Sequence, residues 1–241
     1  MTYSLESDVG KDSSNAYRAI VIGASGAIGQ AFVQALQADP RCAHVETISR
    51  AQGSGFDLLD PASLAAPAAA SAVNGPYHLI VDATGALTVD GVGPEKSLAA
   101  VQVEILAKSF QLNAIGPLVV LRHFAPLLAP GPSVYAKLSA RVGSITDNRK
   151  GGWYGYRASK AALNMFFQTA AIELQRKNPA LRVVALQPGT VRSNLSKPFS
   201  AGVANLLEPA ESVAGMLGAL WGLEARQGAQ FVDYQGQQIP W

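Results

Sequence analysis

A tyrosine and a lysine one helical turn apart could act as an acid–base pair. Tyr156 and Lys160 stand four residues apart in "GGWYGYRASKAALN", a stretch whose pattern after the glycines is typical of the start of a helix. At that spacing the two side chains share one helix face. A nearby ammonium lowers the pKa of a phenol, so the phenol could donate or accept a proton. The alternative is a surface tyrosine beside a solvated lysine, and the pair alone does not decide.

A glycine loop near the N-terminus could hold phosphate groups. The loop "GASGAIG", Gly23–Gly29, lies between a short run rich in Ile and Val and a helical pattern with Phe32, Val33 and Leu36 on its apolar side. Glycines allow a tight turn and a close approach of backbone to phosphate, and the helix N-terminus supplies free N–H groups. The context predicts a dinucleotide site; the alternative is a tight turn with no ligand.

The end of the second predicted strand bears on the choice of cofactor. This strand ends at Ser49 and Arg50, without the acidic residue that often binds the ribose 2′-hydroxyl of NAD. Arg50 could bind the 2′-phosphate of NADP instead, or it could be an ordinary surface arginine. Asp57, in "FDLLD", could accept a hydrogen bond from the adenine amino group.

Strand-like and helical segments alternate along the chain. The predicted strands after the first are "HVETISR", "YHLIVDATG", "SVYAKLSA", "LRVVALQPG" and "QFVDY", with helical patterns between them. We expect Pro67 to interrupt a short helix and Pro117 to bend a long one. The alternation predicts an α/β fold: a single-domain, Rossmann-type, doubly wound parallel sheet with helices on both faces. Its ligands should bind at the carboxyl ends of the strands.

Composition excludes several classes of function. The chain has 241 residues, of which 49% are hydrophobic and 15% charged, and its 19 basic and 17 acidic residues nearly cancel. Such a balance predicts no nucleic-acid partner and no anionic membrane partner. No apolar run approaches the roughly 20 residues that a bilayer requires. The three histidines lack metal-ligand spacing, so we predict no metal site.

The N-terminus and the single cysteine bear on location. The first residues lack the basic start and apolar stretch of a secretion signal, and we expect 1–16 to be a flexible tail before a domain spanning 17–241. Cys42 has no partner for an internal disulfide, which fits a reducing compartment. The sequence therefore predicts a cytoplasmic protein.

Five motifs occur in the order found in the short-chain dehydrogenase/reductase family. They are "GASGAIG", "DLLD", "LNAIGP", "YRASK" and "PGTVRS", and the resemblance extends from Tyr17 to Tyr234. Within the family, "SARVGSITDNRKGGWYGYRASKAALN" and the ending "VDYQGQQIPW" resemble the C-factor-like group of carbonyl reductases.

This resemblance implies roles for individual residues. Tyr156 would donate the proton to a substrate carbonyl, Lys160 would lower the pKa of Tyr156 and hold the nicotinamide ribose, and Asn113 would support a water at a helix irregularity. The resemblance also implies a set of NADP(H)-binding residues, which run from the phosphate loop through the adenine and ribose positions to the nicotinamide: Gly23, Ser25, Ala27, Ile28, Gly29, Arg50, Asp57, Leu58, Ala83, Thr84, Gly85, Asn113, Tyr156, Lys160, Pro188, Gly189, Val191 and Ser193.

The sequence departs from the family pattern at three places. Ala27 replaces the middle glycine of the phosphate loop, and Asp82–Gly85 reads Asp-Ala-Thr-Gly where the family commonly has Asn-Asn-Ala-Gly. Ala140 stands where the family has a serine that orients the substrate carbonyl. Strand alternation points the adjacent Ser139 to the other face, so we favour Ser144 as the substitute.

The combined pattern predicts an NADP-dependent carbonyl reductase acting on a small carbonyl or alcohol substrate. An NADP-binding sensor or signalling protein with weak or no catalysis is the alternative, which Ala140 favours. A sugar-nucleotide epimerase would need an extra substrate domain for which the chain is short. Trp153 and Tyr154 are predicted at the pocket mouth, and the segment from Ser193 to Leu207 as a lid.

Two apolar runs predict a homo-oligomer. Met165, Phe166 and Phe167 are consecutive on a predicted helix, and neighbours on a helix point about 100° apart, so they cannot all face one core. "IGPLVVL" shows the same excess in the preceding helix. The family resemblance implies pairing through these two helices, as a homodimer or homotetramer.

Overall fold

Runs rich in Val, Ile and Leu form the strands of the computed structural model, which describes residues 16–50, 55–193 and 205–241. The strands are β1 (Tyr17–Ile22), β2 (Cys42–Ile48), β3 (Leu79–Asp82), β4 (Ser133–Leu138), β5 (Leu181–Gln187), β6 (Thr190–Val191), β7 (Leu206–Leu207) and β8 (Gln230–Asp233). The α-helices are α1 (Ala27–Ala38), α2 (Ala65–Ser71), α3 (Val103–Phe110), α4 (Gly116–Phe124), α5 (Tyr154–Gln175) and α6 (Pro209–Gly222).

The six longer strands form one parallel sheet in the order β2-β1-β3-β4-β5-β8. The chain moves outward from β1 to β2 and then returns to the other side of β1 as β3, so the winding direction changes between β1 and β3. Ligands of such sheets bind beyond the carboxyl ends of the strands at this point. The predicted doubly wound α/β fold is confirmed.

Helices cover both faces of the sheet because the central strands are apolar on both sides. On one face, α2, α4 and α5 pack with side chains such as Phe124 and Phe167 against Ile20, Tyr135 and Val183. On the other, α1 and α6 pack against the opposite side chains of the same strands. The two cores hold the strand ends in fixed register, and those strand ends carry the functional side chains.

The long helical stretch is irregular before Pro117, not at it. Residues Gln111–Ile115 form one turn of π-helix between α3 and α4, and Pro117 sits in the first turn of α4, where a missing N–H costs little. Pro67 is likewise accommodated in the first turn of α2. The stretch Val103–Leu127 is long and apolar enough to cross a bilayer by length and composition, which sequence reasoning did not anticipate, although core helices of soluble proteins meet the same test.

Two predicted segments fall partly outside the described residues. Of the predicted tail, 1–15 are outside, and β1 begins at Tyr17. Of the predicted lid, 194–204 are outside, while Thr190–Val191 and Leu206–Leu207 on either side pair as parallel strands. Tail and lid therefore stay predictions.

The three consecutive apolar residues of α5 separate as helix geometry requires. Phe167 is buried, Phe166 packs against the same core, and Met165 is 64% exposed. Ile115 and Ile172 are also exposed in the π-turn and further along α5. An outward apolar side chain on this helix supports the predicted oligomer without showing it.

We expect Met165→Lys to convert a dimer to a monomer, because a desolvated ammonium at the centre of an apolar interface has no partner. Sedimentation equilibrium at micromolar concentration measures this. Val73→Lys, which changes an even more exposed apolar residue in the turn after α2, should leave the assembly unchanged. A wild-type monomer would refute the oligomer prediction outright.

Candidate active site

A cavity of about 510 Å³ opens at the carboxyl ends of β4 and β5. The start of α5 contributes Tyr156 and Arg157, and the preceding loop contributes Trp153, whose ring meets the ring of Tyr156 edge-on at 6.2 Å between centroids. Trp153 has a left-handed backbone (φ +56°) immediately before α5 and lines the cavity. The predicted pocket mouth is thus confirmed for Trp153, whereas Tyr154 lines a separate surface depression.

Lys160 lies behind Tyr156 on the same face of α5. It is 3% exposed, its Nζ lies 5.7 Å from the centre of the Tyr156 ring, and it donates a hydrogen bond to the Leu138 carbonyl at 3.1 Å. Gly143 packs directly on it, since a Cβ there would come within 2.8 Å of the Lys160 Cβ. The spacing read from the sequence therefore brings phenol and ammonium together, as expected.

The direction of the pKa shift of Tyr156 differs from the expectation. Burial raises the pKa of Tyr156 to about 12 in the protein without cofactor. Burial, followed by the positive charge of Lys137, lowers the pKa of Lys160 to about 7, and Asp82 opposes the shift. Lys160 is therefore only partly charged near neutral pH, and burial alone accounts for the raised pKa of Tyr156.

Asn113 occupies the π-turn that separates α3 from α4. It is fully buried; its Oδ1 accepts from the Ala86 N–H at 2.9 Å, and its Nδ2 donates to the Ala86 carbonyl at 2.8 Å. A Cβ on Gly85 would lie 3.2 Å from the Asn113 Oδ1 and 3.5 Å from the Lys160 Nζ. The helix irregularity expected at Asn113 is present, and Gly85 fits between the two side chains because it has none.

A second cavity, of about 380 Å³, lies over the end of β1. It brings together residues from the glycine loop, the end of β2 and the turn after β3, which sequence reasoning had linked only by motif. Its lining includes Gly23, Ser25, Ser49, Arg50, Asp57, Leu58, Ala83, Thr84, Gly85 and Lys108. Arg50 is exposed and forms no ion pair within the described part of the chain.

The glycine loop is tight for steric reasons. Gly23 has φ +82°, and a Cβ there would lie 3.0 Å from the backbone of both Ala83 and Thr84. A Cβ on Gly29 would come within 2.2 Å of the Gly23 carbonyl. Ala27 is the first residue of α1. Ala27 and Gly29 support the loop from behind and line neither of these two cavities, whereas Ile28 lines the first.

The segment after β5 forms the other wall of the first cavity. Pro188, Gly189, Val191 and Ser193 all line it. Gly189 has φ +78°, and the Pro188 carbonyl accepts a hydrogen bond from the Ser212 hydroxyl at 2.6 Å. The segment is thereby anchored to α6 at the place where the family resemblance puts the nicotinamide.

The structure does not bring Ser144 to this cavity. The Ser144 hydroxyl accepts from the Asp147 N–H at 3.0 Å, and the residue lines the separate depression that also holds Tyr154. Ala140 does line the cavity, as does Ser139, but the Ser139 hydroxyl donates to the Asn164 Oδ1 at 2.7 Å. No serine hydroxyl among these three positions is free to replace the missing one.

Sequence reasoning missed two groups of residues. Arg141, Arg157 and Gln187 line the first cavity. The only sign of this in the sequence is that they lie close to the motifs. Lys137 and Asp82 form a fully buried ion pair at 2.9 Å. The sequence does show a lysine inside the apolar strand "SVYAKL" and an aspartate at the end of "LIVD". Their pairing could not be predicted, because it depends on the register of β3 and β4. No group of three or more metal-ligating side chains occurs in the described ranges.

Comparisons with known proteins give a family model and several relatives that match the chain. The family model described as short chain dehydrogenase matches residues 17–204. The "C-signal" protein of Myxococcus xanthus is 33% identical over 174 residues, covering 72% of this chain and 98% of that one. A 1-hydroxy-2-glutathionyl-2-methyl-3-butene dehydrogenase from a Rhodococcus species is 29% identical, and the match covers 78% of this chain and 79% of that one.

Solved structures show the same architecture. A short-chain dehydrogenase/reductase of Burkholderia multivorans with bound NADP has a TM-score of 0.75 at 25% identity, covering 94% of this chain and all of that one. The NADPH-bound carbonyl reductase from chicken fatty liver has a TM-score of 0.79 at 24% identity, covering 94% and 95%. At 24% identity, the likeness to the chicken carbonyl reductase concerns the fold alone.

Proposed function

Because the chain belongs to the short-chain dehydrogenase/reductase family and is an oxidoreductase by that membership, we propose that it reduces a carbonyl substrate with NADPH. The observation that carries the proposal is the cavity where Tyr156 faces the segment Pro188–Val191, with Lys160 directly behind the phenol. A phenol backed by an ammonium, across a cavity from the segment that would hold the nicotinamide, is an arrangement suited to hydride and proton transfer.

The described residues fit an NADP molecule. The N-terminus of α1 has no side-chain cap, and Gly23 and Gly26 beside it line the second cavity, so backbone N–H groups of this helix end are available to phosphate. Ser25 and Arg50 would hold the adenosine phosphates, Asp57 and Leu58 the adenine, and Ala83–Gly85 the ribose. When bound, the cofactor supplies the hydride.

The chain's own residues would handle the proton. Tyr156, with a pKa of about 12 in the free protein, is protonated at neutral pH and can donate its proton to the oxygen of a carbonyl in the cavity. Lys160 stabilises the resulting tyrosinate while it is charged, which is the case below its pKa of about 7. Reductase kcat/KM is therefore expected to fall as pH rises through the pKa of Lys160.

The substrate side of the cavity is largely apolar with basic groups at its edge. Trp153, Leu87 and Val142 supply apolar surface, and Lys150 and Arg157 supply positive charge. These features support a small carbonyl compound and do not identify it. The single cysteine, Cys42, supports a reducing compartment, and we place the protein in the cytoplasm.

A specific observation favours a second function. Ala140 lines the cavity where the family has a hydroxyl donor, and Ser144 does not replace it. One relative is named C-signal. An NADP-binding signalling protein with little catalysis would keep the cofactor cavity and lose the carbonyl donor.

A screen of aldehydes, ketones and quinones with NADPH separates the two functions. Loss of NADPH absorbance that depends on one of the carbonyl compounds, with an alcohol formed in equal amount, is the result expected for a reductase. Tight NADPH binding without turnover on any compound would favour the signalling function.

NADPH is expected to bind at least about tenfold more tightly than NADH, because one charge-assisted phosphate contact to Arg50 contributes about 1.4 kcal/mol or more. Arg50→Ala should remove most of this preference, whereas Arg176→Ala, at an exposed arginine after α5, should not change it. Equal affinities measured by fluorescence titration of the wild type would contradict the assignment.

A further inference from the structure

The buried ion pair between β3 and β4 lines neither of the two cavities. Asp82 and Lys137 are direct neighbours in the strand register, both are fully buried, and the Lys137 Nζ lies 2.9 Å from the Asp82 Oδ1. Desolvating two charges removes most of the gain from their attraction, so such a pair is a poor source of stability. Its surroundings indicate what it does.

The two charges jointly fix Thr84, the residue before Gly85. The Lys137 Nζ donates to the Thr84 carbonyl at 2.6 Å and to its hydroxyl at 3.0 Å. The Asp82 Oδ1 accepts from the Thr84 N–H at 2.9 Å and from its hydroxyl at 2.6 Å. All three polar atoms of Thr84 are therefore bound to one ion pair, which holds the turn in a single position.

This turn is packed between the two halves of the proposed site. On one side, a Cβ on Gly23 would lie 3.0 Å from the Thr84 nitrogen, so the phosphate loop rests on the turn. On the other side, Gly85 lies against the Asn113 Oδ1 and the Lys160 Nζ. A shift of Thr84 would therefore move the cofactor contacts and the Tyr156–Lys160 pair relative to each other.

The same charges act on Lys160 through the low-dielectric interior. The charged or titratable groups that face Lys160 are Tyr156 on its own helix, Lys137 on β4 and Asp82 on β3. The nearest groups from the π-turn and the loop after β4 are Asn113 and Gly143, which carry no charge. Lys137 disfavours the charged form of Lys160, and Asp82 favours it.

We propose that Asp82 and Lys137 are positioning residues of the reductase, which hold the Thr84–Gly85 turn between the phosphate loop and the acid–base pair. This inference rests on the proposed function. Neither residue touches the proposed substrate or cofactor, so both act through Thr84, Gly85 and Lys160.

The pH profile of kcat/KM separates positioning from a merely structural role. It is measured for carbonyl reduction with NADPH from about pH 5.5 to 9.5, in the wild type, Asp82→Asn, Lys137→Met and the double variant. The limb that falls with rising pH should move to lower pH in Asp82→Asn and to higher pH in Lys137→Met, each by about one pH unit. In the double variant it should return to within about half a unit of the wild type.

Lys177→Met, at an exposed lysine beyond α5, is the matched control and should leave the profile unchanged. Profiles that coincide in all variants, or that move in the same direction in both single variants, would overturn the assignment. A purely structural pair would lower turnover in both single variants without moving the limb in opposite directions.

A second measurement keeps the proposal testable if a single variant does not fold. Thr84→Val removes the hydroxyl while both charges stay, and it should weaken NADPH binding by about tenfold in a fluorescence titration. Unchanged affinity would overturn the positioning role. If the wild type reduces no carbonyl, the proposed function fails, and the NADPH affinity of Thr84→Val still decides whether the pair positions the cofactor loop.

Discussion

Tyr156→Phe is expected to lower the turnover number for carbonyl reduction about 10³-fold, while the Kd for NADPH changes by less than about threefold. General acid catalysis by a positioned side chain contributes about 10² to 10⁴ in rate. The substitution removes only the phenolic oxygen and leaves the ring that packs against Trp153. Lys160 keeps its hydrogen bond to the Leu138 carbonyl, so the ribose side of the site should stay intact.

The chain offers a matched control for this experiment. Tyr154→Phe removes the same hydroxyl group two residues earlier, from a side chain that is 38% exposed and lines a different depression. Its turnover number should stay within about twofold of the wild type. A Tyr156→Phe protein that keeps most of its turnover would refute the proton-donor assignment, whatever the control shows.

Ala140→Ser is expected to raise kcat for carbonyl reduction by about 10- to 100-fold. Ala140 lines the cavity beside Tyr156, and a donor aimed at a developing oxyanion typically contributes 10² to 10³ in rate. The new hydroxyl gains only part of that factor, because the surrounding side chains are not arranged to orient it.

Two further variants test whether a neighbouring serine already supplies the hydroxyl donor. Ser144→Ala should leave kcat unchanged, because the Ser144 hydroxyl is bound to the Asp147 N–H outside the cavity. Ser139→Ala should act mainly on stability, through the lost hydrogen bond to Asn164. A large loss in Ser144→Ala would show that this hydroxyl does reach the substrate, and Ala140→Ser should then bring little gain.

Local sequence pattern predicted the fold well because each element carries its own signal. The alternation of β-branched runs with helical segments was enough to predict the order of the main strands. The two-residue strands β6 and β7 were not predicted, since they depend on pairing across the segment 194–204. The bend expected at Pro117 from local pattern was misplaced: the π-turn at Gln111–Ile115 comes before the proline, where the family resemblance had put an irregularity at Asn113.

The site was predictable where function depends on spacing and not where it depends on burial or register. The approach of Tyr156 and Lys160 follows from four residues of helix. The raised pKa of Tyr156 follows from desolvation, which no local pattern reports. Lys137 and Asp82 are 55 residues apart and meet only because β3 and β4 are neighbours in one register. Ser144 was chosen by sequence proximity, but a local turn holds its hydroxyl away.

Transfer of deuterium from NADPH labelled with two deuterons at C4 shows directly whether this protein reduces a carbonyl group. The labelled cofactor is incubated with the wild-type protein and the best carbonyl compound of the screen, and the product is analysed by mass spectrometry and NMR. We expect an alcohol one mass unit heavier, with deuterium on the carbinol carbon, and no such product from Tyr156→Phe. A protein that binds the labelled NADPH but forms no deuterated alcohol from any compound would contradict the account.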